Sequence, residues 1–372
     1  MPQAVLPEIA HELAISPASA SLTVSVTTGA LAVAVIPVST LSEVVGRRPI
    51  MLAALVGATL LGLCVAVVPS YELLLVVRTL QGVALAGLPA VALAYLVDEV
   101  PRGSLGRAVG SWVGGTTIGG LVGRVLPSLV SDVGGWRWGM AAVGVMAVAA
   151  TLIFWLTLPR PTGFRPRQAR IRPLAATLFG HLADPRLRRM YLVGFGIMAA
   201  FVSTYNYLTF RLAAPPFDLP PAAIGLLFLC YLMGTVASFV AGRLSDLLTR
   251  RIVLGSSLVV ALAGLALTLP DSLPVLIGGV AVFTLGYFGA HVVASGWTSA
   301  SARTAPAQAS ALYTLGYYAG SSVGGWAGGF PYAHWGWPGA ATFAAVMIGV
   351  ALGAGVLPLI GGREGPRGGR RA

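Results

Sequence analysis

The chain has 372 residues, of which 56% are hydrophobic and only 10% are charged, whereas about a quarter of the residues of a soluble domain are charged. This composition excludes a soluble globular enzyme, because a core of this size cannot hide so much apolar surface from water. All 24 basic residues are arginine, and the absence of lysine excludes a P-loop ATP-driven pump and Schiff-base chemistry.

Apolar runs of about 20 residues follow one another along the chain, and each is long enough to cross a bilayer. The sequence therefore predicts an all-α membrane protein with about eleven complete spans. In chain order they are 20–41, 50–68, 72–97, 105–129, 137–158, 190–212, 222–243, 252–270, 274–298, 309–330 and 338–360.

The first nineteen residues precede the first complete span. The stretch from Met1 to Ala10 is apolar but too short to cross a bilayer. It also lacks the basic residues that begin a signal peptide. We interpret it as the end of a span whose beginning is missing from the sequence.

The arginines lie mainly in the loops on one face of the predicted bundle. That face carries Arg47, Arg48, Arg102, Arg107, Arg243, Arg250, Arg251 and Arg303, the linker residues Arg160, Arg165, Arg167, Arg170, Arg172, Arg186, Arg188 and Arg189, and the tail residues Arg363, Arg367, Arg370 and Arg371. The opposite face has only Arg137 and Arg211, near span ends. The positive-inside rule makes the rich face, and with it the C-terminus, cytoplasmic. The net charge of +12 is thus a topology signal that implies a lipid bilayer, not a nucleic acid, as partner.

The long basic segment divides the chain into two membrane halves. We predict an N-terminal half at 1–158, a cytoplasmic linker at 159–189, a C-terminal half at 190–360 and a basic tail at 361–372. Pro173 and the leucines after it fit either a short interfacial helix or a solvated loop.

Two loops on the rich face repeat each other. Leu41-Ser42-Glu43 followed by Gly46-Arg47-Arg48 matches Leu244-Ser245-Asp246 followed by Arg250-Arg251, at an offset of 203 residues. Because six spans separate the two loops, the halves are parallel repeats. Two glycine triplets also correspond, and a smooth glycine face lets another backbone approach closely, so we expect them at the seam between the halves. They are Gly115, Gly119 and Gly123 in one half and Gly320, Gly324 and Gly328 in the other.

These motifs resemble the Major Facilitator Superfamily of secondary transporters. The first loop resembles its cytoplasmic signature, although Ser39 and Glu43 depart from the usual Gly and Asp. Arg78-Thr79-Leu80-Gln81-Gly82 resembles the fourth-span motif, and the segment from Asp184 through Tyr205-Asn206-Tyr207 to Pro215-Pro216 is similar to YnfM-type inner-membrane transport proteins, in the drug:proton antiporter-like branch.

The resemblance implies two six-helix bundles that expose a central site to each side of the inner membrane in turn. It implies a small-molecule substrate, protons as the coupling ion, a monomer, and no cofactor or metal. It also implies that most of the first of twelve spans is absent here. The alternative is a non-transporting or degenerate member of the same fold, acting as a scaffold or receptor.

Arg78, Arg124 and His291 have Phe283, Gly329 and Ala86 as counterparts in the other half. Together with the fourth-span motif and polar or aromatic residues in the middle of the spans, they are candidates for substrate binding or proton coupling. They are Arg78, Gln81, Gly82, Arg124, Tyr205, Asn206, His291 and Tyr317. A charged or titratable side chain inside a span is costly and commonly functional, but a structural role for Arg78, Arg124 and His291, and aromatic packing for the tyrosines, stay open. No acid lies near the centre of a complete span.

Charged residues at the cytoplasmic span ends are candidates for a gate. They are Glu43, Gly46, Arg47, Arg48, Asp246, Arg250 and Arg251. Charge-assisted contacts among them would latch the outward-facing state, and Asp98 and Glu99 are expected partners of Arg47 or Arg48. The alternative is that these charges are solvated and contribute little free energy.

Overall fold

The computed structural model describes residues 2–159, 161 and 171–357, and these residues form helices and turns without a β-strand. The helices are α1 (Leu6–Glu12), α2 (Pro17–Val45), α3 (Arg47–Val65), α4 (Tyr71–Leu85), α5 (Pro89–Glu99), α6 (Arg102–Gly134), α7 (Trp136–Thr157), α8 (Ile171–Ala183), α9 (Pro185–Ala213), α10 (Pro221–Leu226), α11 (Leu232–Leu247), α12 (Arg250–Leu267), α13 (Leu273–Ser301), α14 (Pro306–Ala327) and α15 (Gly329–Val356). The predicted tail at 361–372 and the linker arginines at 160, 165, 167 and 170 lie outside the described residues.

Local sequence sets where the helices begin and end. The hydroxyls of Ser16, Ser70 and Thr249 accept hydrogen bonds from the first turns of α2, α4 and α12, which satisfies backbone N–H groups that the helix leaves without partners. Gly46 separates α2 from α3 at a φ of 114°, and Gly135 separates α6 from α7 at a φ of 81°. Glycine reaches such angles without a steric penalty.

Nine helical segments within the described part of the chain are long and apolar enough to cross a membrane. They match nine of the predicted spans. The other two predicted spans also form helices: α14 is rich in glycine, serine and tyrosine, and the span at 72–97 is divided between α4 and α5.

The division of the span at 72–97 corrects the prediction of one continuous helix. Ala86, Gly87 and Leu88 form a turn with short-range backbone hydrogen bonds before α5 begins at Pro89. Proline cannot donate the hydrogen bond that would continue a helix through this point. The span at 222–243 is likewise interrupted, by the 3₁₀ turn Leu227–Tyr231 between α10 and α11.

The order of the helices shows the parallel repeat. In the first half α3, α4 and α6 begin at residues 47, 71 and 102, and in the second half α12, α13 and α14 begin at residues 250, 273 and 306. The fold is therefore two bundles of the same topology, as the repeated loops predict. We call the end that contains the α2–α3, α5–α6, α11–α12 and α13–α14 junctions the Arg-rich end, and the other the Arg-poor end.

Helix α9 lies at the centre of the molecule. It packs against α13, α14 and α15, and nearly all of its side chains beyond Met190 are buried. The segment Pro2–Glu12 lies between the halves at the Arg-poor end. Its Leu6 packs in the core of the second half, whereas its Val5 and Ile9 pack with Trp136 and Met140 of the first half. This segment therefore joins the two bundles.

Candidate substrate and gating sites

Arg78 holds three helices of the first half together. Its side chain on α4 is only 4% exposed, and its Nε donates to the backbone oxygen of Thr23 on α2 at 3.0 Å. Its Nη1 donates to Gln81 Oε1 at 2.5 Å, and Gln81 Nε2 donates to the backbone oxygen of Ala58 on α3 at 2.9 Å. These contacts favour the structural interpretation of Arg78 over direct substrate contact.

Gly82 completes this arrangement. A Cβ at this position would overlap the backbone oxygen of Thr27, so glycine allows α2 and α4 to approach closely. The sequence motif from Arg78 to Gly82 thus brings together two side-chain anchors and one close backbone contact on a single helix.

A second polar network, which we call the amide clasp, joins the two halves. Arg124 Nε on α6 donates to Gln3 Oε1 at 2.7 Å, and Gln3 Nε2 donates to Asn206 Oδ1 on α9 at 2.9 Å. Asn206 Nδ2 then donates to Ser21 Oγ on α2 at 2.6 Å, and Ser21 Oγ donates to the backbone oxygen of Gly325 on α14 at 2.6 Å. Buried polar groups arranged in this way satisfy one another in a low-dielectric interior.

The amide clasp lies on the pseudosymmetry axis. Gln3 and Asn206 are 203 residues apart, which is the offset of the repeated loops, so equivalent positions of the two halves contact each other. Sequence analysis selected Asn206 but missed Gln3, because Gln3 precedes the first predicted span. The repeat offset applied to Asn206 would have found it.

Small residues form the rest of the seam between α2 and α14. Ser321 Oγ donates to Thr28 Oγ1 at 3.2 Å, and a Cβ on Gly29 would lie 3.4 Å from the Cβ of Ser322. Nearer the Arg-poor end, a Cβ on Gly329 would overlap Ala18. The halves are thus in direct contact from the middle of the molecule to the Arg-poor end.

The glycine triplets lie elsewhere than expected. Cβ atoms on Gly320, Gly324 and Gly328 would overlap Phe195, Ala199 and Ser203, which belong to α9 of the same half. Cβ atoms on Gly115 and Gly119 would meet no atom within 4 Å. The α14 triplet therefore packs within its own half, while the opposite face of α14, with Ser321 and Gly325, meets α2.

The candidate gate residues are partly connected at the Arg-rich end. Arg47 Nε lies 2.7 Å from Asp98 Oδ2, which is the ion pair expected between the arginine pair and the end of the fourth span. Gly46 supplies the turn before Arg47, and the side chains of Glu43 and Arg48 are half-buried beside it. In the second half Asp246 and Arg250 are exposed, and Arg251 is half-buried.

Two matching caps close the ends of the halves at the Arg-poor end. Gly135 and Gly336 both have positive φ, and each precedes a buried tryptophan. Trp136 Nε1 donates to Glu12 Oε2 at 2.8 Å, and Trp337 Nε1 donates to the backbone oxygen of Thr268 at 3.0 Å. Arg137 forms an ion pair with Glu12. Arg211 forms an ion pair with Asp271 and donates to the backbone oxygen of Thr268. Each of these arginines is therefore ion-paired beside one of the two tryptophans.

An aromatic cluster lines the second half on the side of Arg124. Phe201 and Tyr287 stack with ring centroids 3.8 Å apart, and Tyr287 and Tyr317 share a hydroxyl hydrogen bond of 2.6 Å. His291 Nδ1 lies 3.1 Å from the Tyr313 hydroxyl. Tyr231, Phe288 and Tyr317 are half-buried.

Tyr205 does not line a cavity in this structure. Its side chain is fully buried, and its hydroxyl bonds Thr284 Oγ1 at 2.7 Å. The packing interpretation therefore applies to Tyr205, whereas Tyr317 is partly exposed. Within the described residues no group of three or more His, Cys, Asp and Glu side chains is placed to hold a metal ion.

Comparison with known proteins agrees with this geometry. The model of the Major Facilitator Superfamily matches residues 1–306 and 211–371. The chain is 40% identical to the uncharacterized MFS-type transporter YybF of Bacillus subtilis, over 94% of this chain and 87% of that protein. It is 36% identical to the inner membrane transport protein YnfM of Escherichia coli, over 94% and 84%.

Two further matches are more distant. The purine ribonucleoside efflux pump NepI of Escherichia coli is 28% identical, over 88% of this chain and 82% of that protein. A bacterial homolog of the human lysosomal transporter Spinster, solved in an inward-facing and unoccupied conformation, superposes with a TM-score of 0.75 at 17% identity, over 95% of this chain and 90% of that one. The helix order, the parallel repeat and these matches together show that the chain belongs to the Major Facilitator Superfamily of membrane transporters.

Proposed function

We propose that this protein is a secondary transporter that moves a small organic solute by alternating access, with export as its direction and protons as its coupling ion. The observation that carries the proposal is the unequal contact between the halves, which touch from the middle of the molecule to the Arg-poor end. On the side of the Arg-rich end, Cβ atoms on Gly110 of α6 and Gly242 of α11 would meet no atom within 4 Å. A structure closed at one end and open at the other is one of the two states that alternating access requires.

The orientation follows from the arginines. We propose that the Arg-rich end faces the cytoplasm and that the C-terminus lies there too. The rocking units are then the N-terminal half at 1–158 and the C-terminal half at 190–360, joined by the linker at 159–189. The state described here is inward-open.

Three features support export coupled to protons. The motifs resemble those of drug:proton antiporters, and a more distant relative is named an efflux pump. His291 is a titratable side chain that lies between the aromatic rings of the second half and bonds the Tyr313 hydroxyl. A protonophore collapses the proton gradient and should therefore abolish export against a solute gradient. His291→Gln should make the transport that remains insensitive to the pH gradient. Transport that is indifferent to the protonophore would contradict proton coupling.

A disulfide across the seam tests alternating access. In a background with Cys64→Ala and Cys230→Ala, the pair Gly29→Cys and Ser322→Cys places two Cβ atoms about 3.4 Å apart between α2 and α14. This separation is close to the roughly 3.5 to 4.5 Å that a disulfide bond spans. Oxidation should lock the inward-open state and stop transport, and a reductant should restore it.

The chain offers a matched control for this experiment. Gly289→Cys and Ser257→Cys place two Cβ atoms at the same 3.4 Å, but they join α13 to α12 within one half. Oxidation of this pair should leave transport intact, because halves that move as rigid bodies do not separate these helices. Continued transport by the oxidised Gly29–Ser322 pair would exclude alternating access, and no transport by either reduced pair would favour the non-transporting alternative.

A further inference from the structure

Arg124 of α6 packs directly against aromatic rings of the second half. The guanidinium of Arg124 lies 4.7 Å from the ring centroid of Tyr231 and 5.9 Å from that of Phe228. Tyr231 in turn meets Phe288 edge-on at 6.3 Å and Phe201 edge-on at 5.3 Å. We call Phe201, Tyr231, Tyr287, Phe288 and Tyr317 the aromatic wall.

Arg124 and part of the aromatic wall retain some exposed surface. Arg124 is partly exposed, as are Tyr231, Phe288 and Tyr317 of the wall. Gly110 precedes Arg124 by about four helical turns on nearly the same face of α6, and a Cβ there would meet nothing within 4 Å. A solute entering from the Arg-rich end would therefore reach Arg124 and the aromatic wall together.

The distribution of charge decides which solutes fit. The acidic residues within the described ranges lie in loops, in the short α1 or near the ends of longer helices, and none lies near the middle of a long helix. A cationic solute bound on the wall beside Arg124 would face a fixed positive charge without a carboxylate at the same depth. An anionic group would instead gain a charge-assisted contact in a medium of low dielectric constant.

We infer that Arg124 and the aromatic wall together bind an aromatic solute carrying a single carboxylate, with the ring on the wall and the carboxylate on Arg124. This inference deepens the proposed transport function and rests on it for its biological meaning. An ionised carboxylate is a stronger acceptor than the neutral amide of Gln3, so binding would displace Gln3 Oε1 from Arg124 Nε. Substrate would thereby loosen the amide clasp that joins the halves at the Arg-poor end.

Binding to the purified full chain in lipid nanodiscs tests this inference with three probes that share one ring and one chain length. They are 3-phenylpropanoate, 3-phenylpropanamide and 3-phenylpropylammonium, with charges of −1, 0 and +1. We expect the carboxylate to bind most tightly. Arg124→Gln should weaken its binding by about tenfold or more and change amide binding by less than about threefold. Tyr231→Leu should weaken both, because each stacks on the wall.

Arg243→Gln is the control variant, because Arg243 also lies over a ring, that of Phe239 at 5.6 Å, but is exposed on α11. It should leave the affinity of all three probes unchanged. Tightest binding by the ammonium probe, equal losses of carboxylate and amide binding in Arg124→Gln, or no saturable binding of any probe would overturn the inference. Binding is measured without transport, so the proposed function can fail in the cross-linking experiment while this inference stands.

Discussion

Arg78 illustrates how a charged residue inside a membrane helix can act as a structural anchor. Its guanidinium bonds the backbone of α2 and, through Gln81, the backbone of α3. A hydrogen bond from a charged donor is worth more than one from a neutral donor, and its loss would leave the side-chain oxygen of Gln81 without its Arg78 partner. The hydrogen bonds of Arg78 and Gln81 therefore give this part of the family motif a role in helix packing that does not require contact with a substrate.

Replacing Arg78 should destabilise the first half. Arg78→Ala removes the donors to Thr23 and Gln81 and leaves a cavity, so we expect a loss of roughly 2 to 4 kcal/mol. Thermal unfolding in detergent measures it, with Arg243→Ala as an exposed arginine control. Equal melting temperatures for Arg78→Ala and the wild type would show that these hydrogen bonds do not hold α2 to α4.

Gly135 isolates the energetic effect of backbone conformation from that of packing. A Cβ at Gly135 or at Gly349 would meet nothing within 4 Å, but only Gly135 has a positive φ, of 81°. Gly135→Ala should therefore cost about 1 to 3 kcal/mol through strain alone, whereas Gly349→Ala, within α15, should cost nothing. Thermal unfolding of the two variants side by side tests this, and a loss in Gly349→Ala as large as in Gly135→Ala would contradict it.

At the scale of the helix, the segment Pro2–Glu12 connects the two halves through both faces. Glu8 Oε2 accepts from Ser131 Oγ on α6 at 2.7 Å. Glu8 also lines a cavity of about 720 Å³ at the Arg-poor end, together with His11, Glu12 and Trp136. Burial raises the pKa of the Glu8 carboxyl above its usual value, the negative charge of Asp132 adds to the rise, and the Ser131 hydrogen bond opposes it.

This raised pKa predicts how pH affects the stability of the segment. The folded protein holds the Glu8 proton more tightly than the unfolded chain, so the free energy of unfolding should fall as pH rises from the usual carboxyl pKa through the raised one. Glu8→Gln retains a polar partner for Ser131 without the charge, so it should raise the melting temperature at pH 8 and leave it unchanged at pH 4. A Glu8→Gln variant that melts with the same pH dependence as the wild type would refute the assignment to Glu8.

The helices themselves were largely predictable, since each span is encoded by a local apolar run. The exceptions have specific causes. Pro89 interrupts a run whose hydropathy is continuous, and a helix with two small-residue faces, such as α14, does not reveal from its sequence which face meets which neighbour. Glycine spacing alone assigned Gly320 and Gly324 to the seam, but the structure places them against α9.

At the scale of the whole molecule, the candidate site was predictable residue by residue but not as a network. Arg124 was selected because Gly329 occupies its position in the other half, and Asn206 because it is the only asparagine of the chain, yet Gln3, which connects them, was missed. Contact between residues 203 positions apart follows from how two bundles pack, and no local pattern carries that information. Only the repeat itself indicates that symmetry-related positions meet on the axis.

The amide clasp should set how often the Arg-poor end opens. Asn206→Leu removes the hydrogen bonds to Gln3 and Ser21 while retaining a side chain of similar size. Interhelical hydrogen bonds in membranes average about 0.6 kcal/mol each and reach about 1.7 kcal/mol, so the loss of two should raise the population open at this end roughly eightfold or more. A membrane-impermeant maleimide applied from the Arg-poor side to Ser322→Cys, in the background without Cys64 and Cys230, measures this increase as a faster labelling rate.

Ser257→Cys is the control for this experiment. It faces Gly289 within the second half and should label at the same rate with and without Asn206→Leu. An unchanged rate at Ser322→Cys would show that the clasp does not control opening, and the closure of this end would then have to come from the small-residue packing of α2 against α14.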